Sequence, residues 1–254
     1  MSFSTYIFDL DGTLYRGNTL IPGASETIHQ LRNQDKNVFF MTNSATRSRL
    51  SLQKKLGERG IEAKIEELYP SSYLLAEYIS KNFPKKSVFC VSESGLVDEL
   101  KGKNIKIVDN DPDLVAVGLD RKVTYEKLGK AFRFISNGAR FFATNMDMTF
   151  PVEDGFMPGA GALVSFLIAS TGISPTIVGK PHKEAIEIIL NDHNLSKKGA
   201  IVIGDRLDTD ILTAKNAHVS SALVLTGVSK KIDITKTKIK PNFVLDSIVN
   251  VLDI

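Results

Sequence analysis

The chain has no tryptophan, one cysteine and four histidines in 254 residues. The single thiol, Cys90, cannot close an internal disulfide, and no CxxC pair or Cys/His spacing surrounds it to suggest a zinc site. A reducing compartment, by default the cytoplasm, is the expectation. No apolar run approaches the roughly 18 residues of a membrane span, and the first residues lack the charged and apolar regions of a secretory signal. Export and membrane insertion are therefore unsupported. An excess of either charge is also missing: 32 basic against 29 acidic residues leave +3. That balance argues against nucleic acid as a partner and is compatible with a small anionic substrate. Internal repeats and low-complexity tracts are absent as well.

What is present is alternation. Short β-rich apolar runs recur at 6–8, 38–41, 88–91, 114–117, 141–143, 176–178, 200–203 and 222–225, with a last strand near 242–245. Helix-period apolar positions fill 24–33, 48–59, 72–82, 125–137, 161–170 and 183–194. This order predicts an α/β fold with parallel strands, in one sheet or two. Stretches with apparent chemistry lie before about residue 80 or after about 176, so the segment between reads as an insertion. The expected division is a catalytic core of 1–79 and 177–254 with an inserted α/β domain of 80–176. Lys230 to Lys240 reads as a solvated loop.

In open α/β sheets ligands collect beyond the carboxyl ends of strands, and four polar clusters follow apolar runs there. In Asp9-Leu-Asp-Gly-Thr13 a period of two would put Asp9 and Asp11 on one side if the strand continues. Two carboxylates held together favour a cation or a shared proton, so one can serve as nucleophile and the other as general acid. An acidic turn is the plainer alternative. An EF-hand loop is excluded, because Thr13 replaces an acidic position and no Glu stands at the twelfth. Met41-Thr-Asn-Ser-Ala-Thr-Arg47 offers hydroxyls, an amide and backbone N–H groups to a phosphate; helix capping by Ser44 or Thr46 is the alternative.

Val178-Gly-Lys-Pro-His-Lys183 places Lys180 at a strand end, where it can neutralise a phosphoryl group and a nucleophile. Pro181 would open the next helix, with His182 in its first turn and without chemistry. In Gly204-Asp-Arg-Leu-Asp-Thr-Asp210, Asp205 suits a hard cation such as Mg²⁺, and Asp208 and Asp210 read as capping or solvent-facing unless the cluster binds metal. Two carboxylate sites, a phosphate cradle and a lysine together fit Mg²⁺-assisted phosphoryl transfer.

These four ordered motifs resemble those of the haloacid dehalogenase superfamily. The stretch Leu14-Tyr-Arg-Gly-Asn-Thr-Leu-Ile-Pro-Gly-Ala24, with Thr42-Asn-Ser-Ala-Thr46 and Gly179-Lys-Pro181, resembles its NagD-like branch, which includes p-nitrophenylphosphatase-type enzymes, phosphoglycolate phosphatase and pyridoxal phosphate phosphatase. The resemblance implies a Rossmann-like core carrying a large α/β cap of the C2 type. It implies that Asp9 is the nucleophile forming an aspartyl-phosphate and that Asp11 is the acid that protonates the leaving oxygen and then activates water. Thr42 and Asn43, with Ser44 in support, would hold the phosphate, and Lys180 would offset charge. Asp9, the backbone carbonyl of Asp11, and Asp205 would bind Mg²⁺, with Asp210 supporting.

The resemblance further places Asn145 and Asp147 at a substrate-facing strand end as candidates for specificity, against a plain turn. Met146, Met148 and Phe156 could line an apolar entrance or simply pack, and Gly159-Ala-Gly161 reads as close helix packing because a dinucleotide fingerprint needs a third glycine. A homodimer through the cap is implied too. The expected function is hydrolysis of a small phosphomonoester such as a sugar phosphate or nucleotide. The alternatives are a phosphomutase or phosphotransferase using Asp9, and a phosphate-binding protein without turnover. A receiver-like domain would be about half this length and would lack the insertion.

Overall fold

The computed structural model describes residues 3–152 and 155–254. Along the chain run β1 (Thr5–Phe8), β2 (Tyr15–Arg16), β3 (Thr19–Leu20), α1 (Ala24–Asn33), β4 (Asn37–Thr42), α2 (Arg49–Gly57), β5 (Leu68–Pro70) and α3 (Ser71–Asn82). Next come β6 (Val88–Val91), α4 (Ser94–Gly102), β7 (Leu114–Val117), α5 (Tyr125–Ser136), β8 (Arg140–Ala143), β9 (Thr149–Val152), β10 (Gly155–Pro158), α6 (Ala160–Thr171) and β11 (Thr176–Ile177). The chain closes with α7 (Glu184–Asp192), β12 (Ala200–Gly204), α8 (Leu212–Ala217), β13 (Ser220–Val224), α9 (Lys231–Lys236) and β14 (Phe243–Leu245). The fold is α/β, and the expected strands form two separate sheets.

One compact unit comprises Met1–Thr42, Gln53–Tyr69 and Lys180–Ile254. Its six-stranded sheet has the order β14-β13-β12-β1-β4-β5. Every residue of β1 and β12 is buried, as expected of parallel strands covered on both faces. Phe8 of β1 stands opposite Phe40 of β4 and Ile203 of β12, so the residues that follow all three strands emerge at one edge. Chain order runs outward from β1 in both directions, which makes that edge a topological switch point.

The second unit comprises Asn43–Leu52 and Pro70–Gly179. Its sheet, β11-β8-β7-β6, is parallel, and Phe89, Val115, Phe141, Ile135 and Val164 belong to one buried apolar cluster on it. The packing boundary thus falls at 70 and 179, and residues 43–52 join this unit too, unlike the 80–176 insertion expected from motif positions. The cause is polar anchoring within the unit. The Ser71 hydroxyl donates to the Asn43 carbonyl at 2.7 Å and that of Ser72 to the Arg47 carbonyl at 2.6 Å. Arg49 lies 3.7 Å over the Tyr73 ring.

Several elements were not legible beforehand. Helix α4 is short and begins Ser-Gly, a composition that weakens a helix pattern. Gly95 is needed there because a Cβ would collide with backbone at Ala45, Thr46 and Arg47. The hairpins β2–β3 and β9–β10 and the three-residue β5 are too short for periodicity to register. Lys230 to Lys240 is not simply a loop. Asp233 accepts from the Lys230 N–H at 2.9 Å to start α9, and Ile234 and Ile239 pack on Leu207, Ile211 and Leu223. Gly159 and Gly161 do permit close packing, since a Cβ on either would strike the backbone at 146–148.

In the second unit the buried carboxylate of Glu77 pairs with Lys81 at 2.9 Å and with Lys103. Burial pushes its pKa up, but the two lysines outweigh this and hold it below the ordinary value. A carboxylate depressed in the folded state contributes stability above its unfolded pKa and loses it as pH falls through the folded one. Glu77→Gln should therefore lower stability at pH 7 by about 1 kcal/mol, a modest figure because both lysine heads keep water. The difference from the parent should shrink as pH falls through the lowered folded pKa of Glu77, read in thermal melts at stepped acid pH.

Candidate active site

Asp9 follows β1, and its N–H still donates to the Ile203 carbonyl at 2.8 Å. The strand ends there. Leu14 and Thr13 return N–H groups to the Leu10 carbonyl, and Gly12, at φ 91°, completes a turn that a side chain would strain. Asp9 is consequently 6% exposed, whereas Asp11 is exposed. The anticipated Asp9/Asp11 pair on one strand face is replaced by two carboxylates in unlike surroundings.

The partners of Asp9 come from elsewhere in the same unit. Carboxylate oxygens of Asp9, Asp205 and Asp210 lie within 4.8 Å of one another, and Lys180 Nζ donates to Asp9 Oδ1 and Asp210 Oδ1 at 2.5 Å each. All four side chains are buried. Burial drives the Asp9 carboxyl well up; Lys180 pulls it down, while Asp210 and Asp205 push it further up. Burial, then the charge of Asp210, raises Asp205 to about 6. For Lys180, burial works against the charge, yet Asp210 and Asp9 outweigh it and the ammonium is held more firmly than usual.

The three acids after β12 have different surroundings. A π-type turn, Leu207–Ile211, leads into α8 and turns Asp210 inward while Asp208 remains outside, paired with Arg206 at 2.9 Å. Both Asp210 oxygens are engaged, Oδ1 by Lys180 and Oδ2 by the Arg206 N–H at 3.0 Å. Asp205 differs: Oδ2 accepts from the Val228 N–H at 2.6 Å, but Oδ1 is buried without a hydrogen-bond partner. An orphaned buried carboxylate oxygen, among acids of one hard type, fits a hard divalent cation. Asp9, Asp205 and the exposed Asp11 loop are the residues available to hold it.

Thr42 ends β4 and is buried. Asn43, next in the chain, belongs to the second unit, where its side-chain amide donates to the Asp147 carboxylate at 3.1 and 3.2 Å. The Asn145 amide donates to the Asn43 carbonyl at 2.7 Å, and Asn145 Oδ1 accepts from the Asp147 N–H at 3.0 Å. Asn145 and Asp147 thus hold Asn43, and Asn145 is itself buried. Neither Ser44 nor Thr46 caps α2; their hydroxyls lie 3.2 Å apart, and Ser48 receives the Ser51 N–H. Likewise α7 begins at Glu184, after Pro181 and His182. Met148 and Phe156 are exposed.

Sequence reading missed Tyr15, Ser71 and the 226–229 loop. Tyr15 is buried, and its hydroxyl lies 3.4 Å from Asp11 Oδ2 and accepts from Lys55 Nζ at 3.0 Å. Its one available signal was the adjacency of Tyr15 to the first motif; the loop gave none.

Residues 6–106 match the model of the haloacid dehalogenase-like hydrolases, and 177–251 match a second, HAD-hydrolase-like, model. A 4-nitrophenylphosphatase of Schizosaccharomyces pombe is 38% identical over 99% of this chain and 94% of its own. An acid sugar phosphatase of Staphylococcus saprophyticus is 36% identical over 99% and 97%. Among solved structures, a p-nitrophenyl phosphatase from Archaeoglobus fulgidus superposes with a TM-score of 0.95 at 33% identity, covering 100% and 99% of the two chains. NagD from E. coli K-12 gives 0.92 at 31%, covering 98% of each. A Mycobacterium tuberculosis glycerol phosphate phosphatase in complex with magnesium gives 0.91 at 30%, covering 97% and 75%. The chain belongs to the haloacid dehalogenase-like hydrolases, in their NagD-like branch. Its activity is that of a phosphoric monoester hydrolase.

Because the Lys180 ammonium bridges Asp9 and Asp210, Lys180→Met should leave buried acids uncompensated. A loss of about 3–5 kcal/mol is expected, read by denaturant titration in chelator, with partial recovery when Mg²⁺ is added.

Proposed function

We propose that the chain is a Mg²⁺-dependent phosphatase of small phosphomonoesters that works through an aspartyl-phosphate on Asp9. The observation that carries this is the charge count at the buried cluster. Three carboxylates against one ammonium leave two negative charges unless protons or a divalent cation intervene, and Asp205 keeps one oxygen unpartnered. When bound, Mg²⁺ would be held by Asp9, the Asp11 carbonyl and Asp205, and would screen the repulsion between a phosphate dianion and a carboxylate.

An Asp9 carboxylate oxygen attacks phosphorus and the ester bond to the leaving oxygen breaks. Asp11 gives that oxygen its proton, and then takes one from the water that releases inorganic phosphate. Its exposure suits this exchange with substrate and water, as the burial of Asp9 suits a nucleophile shielded from side reactions. Lys180 holds Asp9 in place and offsets charge on the transferring group. Thr42 and Asn43, supported by Ser44, bind the phosphate oxygens. The second unit is the cap that selects the leaving group, and Asn145 and Asp147 contribute by orienting Asn43.

The relatives named for 4-nitrophenyl phosphate, acid sugar phosphates and glycerol phosphate support a small phosphomonoester, such as a sugar phosphate or nucleotide, as substrate. No helix among the described residues is long and apolar enough to cross a membrane, and we place the activity in the cytoplasm with a cap-mediated homodimer as the working form.

Asp9→Asn should lower phosphate release by at least about 10³-fold, a barrier increase of about 4 kcal/mol, with an unchanged far-UV spectrum. Chelator should abolish release and Mg²⁺ restore it. Release without any added acceptor separates hydrolysis from phosphotransfer, and near-parent activity of the Asp9 variant would overturn the mechanism.

A further inference from the structure

The loop after β13, Leu225-Thr-Gly-Val-Ser229, contacts both the Gly12 turn and Asp205 within its unit. Thr226 Oγ1 donates to the Gly12 carbonyl at 2.8 Å. The Thr226 carbonyl in turn accepts from Arg16, through Nε at 2.5 Å and through Nη2. Two residues on, the Val228 N–H binds Asp205 Oδ2, and the Ser229 N–H donates to the Asp205 carbonyl at 3.0 Å. The Ser229 hydroxyl accepts from the Leu207 N–H at 3.0 Å.

Glycines make this bracket possible. A Cβ on Gly12 would fall 2.7 Å from Asp205 Cγ, and one on Gly227 would land on the same carboxyl group. Asp205 is thus clasped between two glycine backbones, and the clasp leaves Oδ1 as the oxygen without a partner. Gly12 is pinned on both sides as well, its N–H by the Tyr15 carbonyl at 2.8 Å and its C=O, in the next peptide unit, by Thr226. In a trans peptide C=O and N–H point in opposite directions. Fixing the Gly12 N–H therefore also fixes the preceding carbonyl, that of Asp11.

We propose that Thr226 and Gly227 are positioning residues for the divalent cation, joining the Asp11–Gly12 turn to Asp205 so that the Asp11 carbonyl and Asp205 Oδ1 are set before the ion arrives. This rests on the metal reading above. The loop contributes no ligand; it lowers the reorganisation needed on binding, and partners of this kind typically change metal affinity tenfold to a hundredfold.

The test is Mn²⁺ binding to the full chain, followed by the electron paramagnetic resonance of the free ion, without substrate. Thr226→Val keeps the shape and loses the donor, and its dissociation constant should rise about tenfold or more, while Thr226→Ser stays within about threefold of the parent. Gly227→Ala should lose about a hundredfold or more, and metal-free thermal midpoints show that each variant is folded. Parent-like affinity in both Thr226→Val and Gly227→Ala overturns the positioning role alone. A parent that takes up no Mn²⁺, like its Asp205→Asn control, overturns the metal reading and this role with it.

Discussion

Three buried carboxylates share the carboxyl edge of the six-stranded sheet, and the ammonium of Lys180 makes their proximity tolerable. At separations within 4.8 Å each ionised pair repels by at least about 3.5 kcal/mol even at an effective dielectric of about 20. Lys180 bridges two of the three and leaves the third, Asp205, with an oxygen unpartnered. The arrangement is therefore poised between protonation and cation binding: burial first, and the neighbouring carboxylates second, raise the pKa values of Asp9 and Asp205. Such tension is costly for stability, and perturbed acids of this kind cluster at functional sites.

The sheet determines which residues meet. Because β1 lies between β4 and β12 in register, with Phe8 opposite Phe40 and Ile203, residues nearly 200 apart in sequence leave the sheet side by side. The Gly12 turn then separates the first two acids, so that Asp9 enters the cluster while Asp11 faces solvent. Their unlike environments suit unlike tasks, a point the period of two alone would not have given.

Much of this was legible in the sequence because parallel strands buried on both faces leave unbroken apolar runs, and polar residues directly after such runs stand at the ligand edge. Asp9, Lys180 and Asp205 stand directly after such runs, whereas Asp210, six residues past β12, reads from sequence as a cap and gains a role only through the family resemblance. What escaped had no periodic signature. The boundary of the second unit depends on Ser71 and Ser72 reaching the 43–47 backbone, contacts between hydroxyl and carbonyl that any serine could make. Asn145 and Asp147 stood out at a strand end, yet their link to Asn43 joins positions about a hundred apart and needs the fold to be seen.

A similar logic explains why Asp205 and Asp210, five residues apart and of one chemical type, are not equivalent. Gly204 lets Asp210 pack against the strand end, since a Cβ there would collide with the Asp210 side chain, and Lys180 and the Arg206 N–H then occupy both of its oxygens. Asp205, one residue beyond the strand, meets backbone N–H groups from the next loop on one side only. Backbone donors have fixed directions, so satisfying Oδ2 commits Oδ1 to a different partner. The inequality of the two acids thus follows from which neighbour is a strand and which a loop: both oxygens of Asp210 are engaged, one of them by the lysine, while Asp205 keeps one oxygen without a hydrogen-bond partner.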